Sequence, residues 1–328
     1  MKISIIIPTR NRAKYLRDTL QSLVLSNVHD AELLIIDNGS TDLTKDVALD
    51  FIKKSNFECH YIYEQTPGLH IGRNLGAQLA QGEILAYLDD DVFVEPSWFT
   101  AIYDTFQSYP HIALLGGPCI PYWENTPPKW IYNLKASVPG GGWVLNQLSL
   151  VDLCYSKISR CHPFYIFGCN FIIRKDILFS AGGFHPDGMP DSLLCYRGDG
   201  ETYISKFIDD NNLSSFYHPD CKIFHRVPAS RLTADYIKYI NVRNTYSLAY
   251  TQCRESQFLP RKFLKILYNN FKLAIKNFFL FLIGKEKFST ISLSFLLIKI
   301  CLGHMISKSR RLWVCQKSYF LEDPCPYK

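Results

Sequence analysis

This sequence lacks several features that would indicate a disulfide-rich, a nucleic-acid-binding or a secreted protein. It has no Cys-x-x-Cys pair, and its 11 cysteines are odd in number and scattered along 328 residues, which argues against a disulfide scaffold. No block of Lys and Arg with interleaved aromatic residues occurs, and a net charge of +6 is mild for this length, so nucleic acid is not indicated as a partner. The apolar run Ile3–Ile7 is too short for a signal peptide, and no cleavage site follows it. We therefore expect reduced cysteines and a cytoplasmic protein.

Hydrophobic residues make up 47% of the chain, which predicts a packed core in one large domain or in one domain with an appendage. In the first ninety residues, short apolar runs alternate with segments of helical spacing. The predicted elements are strands at Ile3–Ile7, Glu32–Ile36, Phe57–Tyr63 and Ile84–Leu88, and a first helix from about residue 13 to 26. This alternation predicts an α/β fold with a mostly parallel sheet flanked by helices.

Three consecutive carboxylates, Asp89–Asp91, follow the strand Ile84–Leu88. Open α/β sheets bind ligands at the carboxyl ends of their strands, which is where these residues fall. Three like charges repel each other, and a divalent cation with oxygen ligands would offset the repulsion. The triplet therefore predicts a site for a metal ion and a diphosphate, with a solvated acidic turn as the alternative.

Four motifs follow one another at the ends of the predicted strands: Ile7-Pro8-Thr9-Arg10-Asn11, Asp37-Asn38-Gly39-Ser40-Thr41-Asp42, Gly72-Arg73-Asn74-Leu75-Gly76 and Asp89-Asp90-Asp91. This ordered set resembles family 2 inverting glycosyltransferases of GT-A fold. The resemblance implies a Rossmann-like GT-A domain, a nucleoside-diphosphate-sugar donor, divalent Mg²⁺ or Mn²⁺, and transfer with inversion at the anomeric carbon. It also favours a UDP-sugar.

Carried over residue by residue, the resemblance implies roles for the strand-end residues. Those expected to contact the donor are Pro8, Thr9, Arg10, Asp37, Arg73, Asn74, Asp89 and Asp90. The residue types are consistent with these roles, since the carboxylate of Asp37 can accept hydrogen bonds from the ribose or the base, and the guanidinium of Arg73 suits phosphate oxygens. Asp91 is the first-choice metal ligand, with Asp89 on the same side of an extended backbone.

Three later segments extend the resemblance to about residue 230. Asn170, in Gly168-Cys169-Asn170, is expected to present its amide to the donor sugar or acceptor. The turn Asp199-Gly200-Glu201 departs from the family order, so the catalytic base stays open between Asp199, the first choice, and Glu201. His225 is a candidate metal ligand, with a structural histidine as the alternative.

The last third of the chain changes character, with apolar stretches at residues 263–283 and 291–306 that lysines interrupt. The first stretch is poor for spanning a bilayer and favours an interfacial helix, and the second carries Lys299 within it. We expect a catalytic domain over residues 1–232 and a helical, membrane-proximal region over 233–328 at the cytoplasmic face of a membrane. The alternative is a helical subdomain that covers the core or forms a dimer.

The function predicted is therefore metal-dependent, inverting transfer of a hexosyl residue from a nucleotide sugar to a saccharide or lipid-linked acceptor, in surface polysaccharide or glycolipid synthesis. Two alternatives are a nucleotidyltransferase and a non-catalytic nucleotide-sugar-binding protein. The first would need a Gly-rich phosphate loop after the first strand, and Pro8–Arg12 contains no glycine. The two acidic clusters argue against the second. The sequence leaves the oligomeric state open.

Overall fold

The computed structural model describes residues 1–283 and 288–320, and fourteen strands lie within the first 227 residues. The strands are β1 (Ile3–Thr9), β2 (Ala31–Asp37), β3 (Glu58–Tyr63), β4 (Ile84–Leu88), β5 (Val92–Val94), β6 (Leu114–Gly116), β7 (Cys119–Trp123), β8 (Ala136–Ser137), β9 (Trp143–Leu145), β10 (Leu150–Asp152), β11 (Ser159–Arg160), β12 (Asn170–Arg174), β13 (Ser215–Tyr217) and β14 (Ile223–Val227).

Eleven α-helices connect and follow these strands in the described part of the chain. The helices are α1 (Ala13–Val24), α2 (Thr44–Lys54), α3 (Leu69–Leu79), α4 (Trp98–Ser108), α5 (Lys129–Tyr132), α6 (Lys175–Ala181), α7 (Glu201–Asp210), α8 (Ala234–Ser256), α9 (Pro260–Leu282), α10 (Phe288–Ile306) and α11 (Lys308–Val314).

The larger sheet has eight strands in the order β11-β13-β6-β12-β4-β1-β2-β3. Strands β4, β1, β2 and β3 are parallel neighbours, whereas β12 runs antiparallel to both β4 and β6. This is the mostly parallel mixed sheet that the alternation of strands and helices predicts. A parallel arrangement sends the carboxyl ends of β1, β2 and β4 to one edge of the sheet.

Both faces of the central strands are covered, which explains why β1, β2 and β4 are apolar almost throughout. On one face, Ile5 and Leu33 pack with Leu16 of α1. On the other face, Ile6 packs with Ala77 of α3, next to Ile204 of α7. Alternate residues of one strand therefore belong to two separate cores, one on each side of the sheet.

A second sheet of six strands, in the order β5-β14-β7-β10-β9-β8, lies beyond the carboxyl edge of the first. β14 pairs in parallel with β7 and antiparallel with β5, the short strand that begins directly after the acidic triplet. The second sheet thereby brings a late part of the chain beside Asp89–Asp91.

The C-terminal helices pack back onto the α/β region. Tyr250, Trp313 and Tyr319 are buried in a common apolar cluster. The indole Nε1 of Trp313 donates to the backbone oxygen of Tyr196 at 2.9 Å, and the backbone oxygen of Tyr319 accepts from Asn74 at 2.9 Å. Among the described helices, one segment, Ser289–Ile306, has the length and apolar composition to cross a membrane, and 33% of it is buried. The last residues of the expected helical region, 321–328, lie outside the described residues.

Candidate active site

The acidic triplet lies where the carboxyl ends of β1 and β4 meet. The two strands are parallel neighbours, so the residue that ends β1 reaches the residues that follow β4. Thr9 Oγ1 donates a hydrogen bond of 2.6 Å to Asp90 Oδ2, and the backbone oxygen of Asp90 accepts one of 2.9 Å from Thr19 Oγ1 on α1. Asp90 and Asp91 are both buried. Asp90 is therefore held through its side chain by β1 and through its backbone by α1.

Asp89, Asp91 and His225 form a group that could hold a metal ion. Each offers one ligand atom, and these atoms lie within 4.8 Å of one another. His225 Nε2 lies 3.3 Å from Asp91 Oδ1, while its Nδ1 lies 3.0 Å from the backbone oxygen of Leu148, which can only accept. That contact orients the ring with Nε2 toward the carboxylates, as a hydrogen bond on the other ring nitrogen commonly does for histidine metal ligands. Two carboxylates beside an imidazole fit Mg²⁺ or Mn²⁺.

The charges of this group shift its proton affinities. Burial disfavours the ionised form of Asp91, but the charge and hydrogen bond of His225 and the charge of Arg12 outweigh burial and lower the pKa of Asp91. Burial also opposes the charged form of His225, yet the facing Asp91 raises the pKa of His225 to about 9. Asp91 is therefore ionised at neutral pH, as a metal ligand has to be.

Two arginines place positive charge beside the acidic triplet, whereas the sequence predicts that a metal cation alone offsets the repulsion within it. Arg12, between β1 and α1, places Nε 3.1 Å from Asp90 Oδ1 and Nη2 2.5 Å from Asp91 Oδ2. Arg231, after β14, places Nη2 3.2 Å from Asp91 Oδ2. Arg12 was missed as a site residue, although its place one residue before α1 was visible in the sequence. Arg226 of β14, by contrast, pairs with Asp18 at 2.6 Å.

A cavity of about 310 Å³ opens in front of these groups. Pro8, Thr9 and Arg10 line it, as expected for the end of β1, together with the triplet and His225. Residues 147–149 and Tyr236 line it as well. The mix of guanidinium groups, carboxylates and backbone is suited to a polar, anionic ligand.

Arg73 joins the triplet to the second acidic turn. Its Nη2 lies 3.2 Å from Asp89 Oδ1 and its Nη1 lies 3.3 Å from Glu201 Oε2. Nη2 also donates to the backbone oxygen of Gly168 at 3.0 Å, and a Cβ at that glycine would lie 2.5 Å from the same nitrogen. A glycine is therefore needed where the chain passes over the guanidinium. Two carboxylates from distant parts of the chain converge on one buried arginine.

The sequence profile described as Glycosyl transferase family 2 matches residues 4–178, more than half of the chain. The chain belongs to glycosyltransferase family 2. It is thus a glycosyltransferase that takes its sugar from a nucleotide-sugar donor, and the resemblance drawn from the four motifs is confirmed. The GT-A fold is confirmed as well.

Similar proteins cover the chain to different extents. Glucosyl-dolichyl phosphate glucuronosyltransferase of Haloferax volcanii is 21% identical over 286 residues, which are 82% of this chain and 84% of that protein. Validoxylamine A glucosyltransferase of Streptomyces hygroscopicus subsp. jinggangensis is 29% identical over 218 residues, 60% of this chain and only 50% of that protein. A mannosyltransferase of Pyrobaculum calidifontis, solved with GDP-Man and Mn²⁺, has a TM-score of 0.50 at 16% identity and covers 95% of this chain and 71% of its own. At that identity the likeness shows the fold.

Asp37 of this glycosyltransferase does not line the cavity as expected. Its Oδ1 accepts from the backbone nitrogen of Ser40 at 2.8 Å, and its Oδ2 accepts from the hydroxyl of Tyr61 at 2.7 Å. The buried carboxylate closes the turn after β2 and ties it to β3. Its neighbour Asn38 lines the cavity instead.

Asn74 and Asn170 were expected at the donor, but both use their amides inside the protein. Asn74 Oδ1 accepts from the backbone nitrogen of Phe184 at 2.8 Å, and its Nδ2 donates to the backbone oxygen of the same residue at 3.0 Å. Asn170 Oδ1 accepts from Trp98 Nε1 at 3.0 Å, and its Nδ2 donates to the Cys221 oxygen at 2.7 Å. Buried amides with partners on both atoms hold chain segments together rather than bind a ligand.

The two candidate bases, Asp199 and Glu201, lie in different surroundings. Asp199 Oδ1 lies 2.7 Å from His185 Nδ1, and its Oδ2 accepts from Thr251 Oγ1 at 2.6 Å. The Asp199 carboxylate is buried, and Asp199 lines a different cavity, beside Arg254. Glu201, by contrast, keeps 26% of its side chain exposed and lies next to Arg73 on the side of the triplet. Glu201 is therefore the better placed of the two.

A second group with metal-ligand chemistry, Glu32, Glu58 and His60, lies at the opposite edge of the large sheet. Lys2 Nζ already pairs with Glu58 Oε2 at 2.7 Å. This group is remote from the candidate active site because it belongs to the amino-terminal ends of β2 and β3.

Proposed function

We propose that this glycosyltransferase moves a hexosyl residue from a UDP-sugar to an acceptor hydroxyl with inversion, with Mg²⁺ or Mn²⁺ held by Asp89, Asp91 and His225. The observation that carries the proposal is the convergence of these three residues in one cavity with a link, through Arg73, to Glu201. A bound divalent cation would stabilise the charge that grows on the departing nucleoside diphosphate.

Other residues of the protein bind the diphosphate and the nucleoside and remove the proton of the acceptor. Arg12 and Arg231 face the cavity with guanidinium groups that suit diphosphate oxygens, and they hold Asp91 in place meanwhile. Pro8 and Thr9 form the wall against which the nucleoside lies. Glu201 takes the proton of the attacking hydroxyl, and Arg73 orients that carboxylate by its contact at 3.3 Å. Inversion follows from a single in-line displacement.

The proposed acceptor is a saccharide or a lipid-linked sugar at the cytoplasmic face of a membrane, in the synthesis of a surface polysaccharide or a glycolipid. The name of the Haloferax volcanii relative, which includes glucosyl-dolichyl phosphate, supports the lipid-linked alternative. The domain boundary near residue 232 is proposed as well. It is supported by the end of the last strand at Val227 and the start of the long helix α8 at Ala234.

The experiment is a donor screen that measures the nucleoside diphosphate released in the presence of Mn²⁺, followed by assays of two variants. Glu201→Gln should lower transfer by about 10² to 10⁴-fold, because the hydroxyl then has no base. Asp199→Asn is the matched control and should keep most of the activity, since its carboxylate is engaged by His185 and Thr251. Chelation of the metal should remove activity, and Mn²⁺ should restore it.

Near-normal transfer by Glu201→Gln, with activity lost in folded Asp199→Asn, would return the base to Asp199. Full activity after chelation would show that the arginines alone neutralise the leaving group. Both variants are checked by their thermal melting, so that a loss of folding is not counted as a loss of catalysis.

A further inference from the structure

Helix α9 buries two asparagines and exposes many of its large apolar residues. From Asn270 onward its buried positions are Asn270, Ala274 and Asn277. Asn270 Nδ2 donates to Gln252 Oε1 of α8 at 2.8 Å, and Asn277 Nδ2 donates to Ser294 Oγ of α10 at 2.9 Å. A helix at the surface of a protein in water shows the reverse pattern, with its apolar stripe toward the core.

The outward face of α9 carries a continuous stripe of large apolar side chains spaced alternately four and three residues apart. We call this set the α9 stripe; its members are Leu264 (64% exposed), Tyr268 (66%), Phe271 (54%), Ile275 (41%), Phe278 (46%) and Leu282 (60%). The spacing keeps all six on one side of the helix over about 27 Å. An exposed apolar patch of this extent marks a docking surface.

The charges beside the stripe indicate which kind of partner it binds. Lys265, Lys272 and Lys276 are exposed along its flank, and α9, α10 and α11 contain no Asp or Glu. If a second copy of α9 packed against the first, lysines would face lysines. The acidic residues that form salt bridges at such helix–helix interfaces would be missing. An anionic lipid surface offers both an apolar layer for the stripe and negative headgroups for the lysines.

We propose that the α9 stripe docks this protein onto an anionic membrane, with α9 lying in the plane of the interface. The apolar side chains enter the boundary between headgroups and acyl chains, and the flanking lysines contact the headgroups. α10 packs along α9 and α8 and supports the stripe from behind through contacts such as the one between Ser294 and Asn277. The proposal does not depend on the reaction proposed above, because it is tested by binding alone.

The test uses the full chain and vesicles of phosphatidylcholine, alone or mixed with phosphatidylglycerol, in a flotation assay. The parent protein should float with the mixed vesicles and less with the neutral ones, and high salt should weaken the binding. The variant Phe271→Ser/Phe278→Ser/Leu282→Ser should bind the mixed vesicles about tenfold or more weakly. Lys265→Glu/Lys272→Glu/Lys276→Glu should lose the preference for anionic lipid.

The control variant is Leu25→Ser/Leu43→Ser/Tyr63→Ser, which removes equally exposed apolar side chains from the α/β region (71%, 65% and 56% exposed) and should bind like the parent. All variants should melt like the parent, since none of the changed residues is buried. The proposal is overturned if the parent binds neither kind of vesicle, or if the stripe variant binds as well as the parent. It is also overturned if sedimentation shows a stable dimer that the stripe variant abolishes.

Discussion

Arg73 shows how the environment of one side chain changes its role. The sequence pattern places it against the donor diphosphate, yet its guanidinium is buried and already surrounded by Asp89, Glu201 and the Gly168 oxygen. Burial alone would favour the neutral form, but Glu201 and Asp89 outweigh burial and raise the pKa of Arg73. A cation so enclosed orients Asp89 and Glu201, the carboxylates to which we assign the metal and the proton of the acceptor.

His70, on α3, makes stability depend on pH. Burial lowers its pKa to about 4, whereas an unfolded histidine has a pKa near 6.5. Between these values the unfolded chain binds a proton that the folded chain does not. Stability contributed by the neutral ring is therefore present above pH 6.5 and falls by roughly 3 kcal/mol as the pH drops to 4. Urea unfolding at pH 7, 6 and 5 measures this slope.

The variant His70→Gln should show a smaller slope in that range, because it has no ring to protonate. The slope is reduced rather than abolished, since burial also lowers the pKa of His185. The exposed His111→Gln is the control and should leave the slope unchanged. An equal slope in His70→Gln and the parent would contradict the prediction.

At the scale of elements, the site depends on how closely α3 lies on the large sheet, since α3 carries Arg73. A Cβ at Gly76 would lie 2.5 Å from Ile6 Cγ2 of β1, and one at Gly72 would lie 3.3 Å from Pro8 Cβ. β1 therefore leaves no room for a side chain at Gly76 and little room for one at Gly72.

Gly76→Ala should lower the free energy of unfolding by about 1–3 kcal/mol, because overpacking outweighs the better helix propensity of alanine. Denaturant midpoints at an unchanged m-value measure the effect. The matched control is Gly303→Ala in α10, where the nearest atom to an added Cβ is the flexible end of Arg310 at 3.1 Å. That change should be neutral or stabilising, and a destabilised control with an unaffected Gly76→Ala would refute the argument.

At the scale of the whole molecule, the C-terminal helices are built into the α/β region. Trp313 and Tyr319 are buried together, the hydroxyls of Tyr319 and Tyr250 are hydrogen-bonded, and Asn74 of α3 donates to the Tyr319 backbone. A deletion of the chain after residue 258 would therefore remove residues that pack against α3. For this reason, point variants of the α9 stripe test membrane binding more cleanly than such a deletion does.

Trp313→Ala should lower the free energy of unfolding by about 3–5 kcal/mol, because it empties a large buried volume. The adjacent Leu312→Ala is the control, and since Leu312 is 66% exposed, that change should have little effect. The two regions should still unfold in one transition when followed by circular dichroism and by tryptophan fluorescence. Two separate transitions, with the α/β region unaffected by Trp313→Ala, would mean that the helices form an independent unit.

The sequence by itself determined the layout of the fold and the edge at which the site lies. Parallel strands end at a common edge, and this brings Thr9 at the end of β1 to Asp90 after β4. The local spacing of apolar residues is sufficient to predict this layout, because the layout depends only on the period of each strand and on the order of the elements.

Only the tertiary structure decided which polar side chains face the cavity. Asp37, Asn74 and Asn170 find partners inside the protein, and Arg12 supplies counter-charge to Asp91. Our proposal of Glu201 over Asp199 rests on His185 and on Thr251, a residue of α8 that is 52 positions from Asp199 in sequence. Hydrogen bonds between segments so far apart depend on three-dimensional packing, which no local pattern in the sequence records.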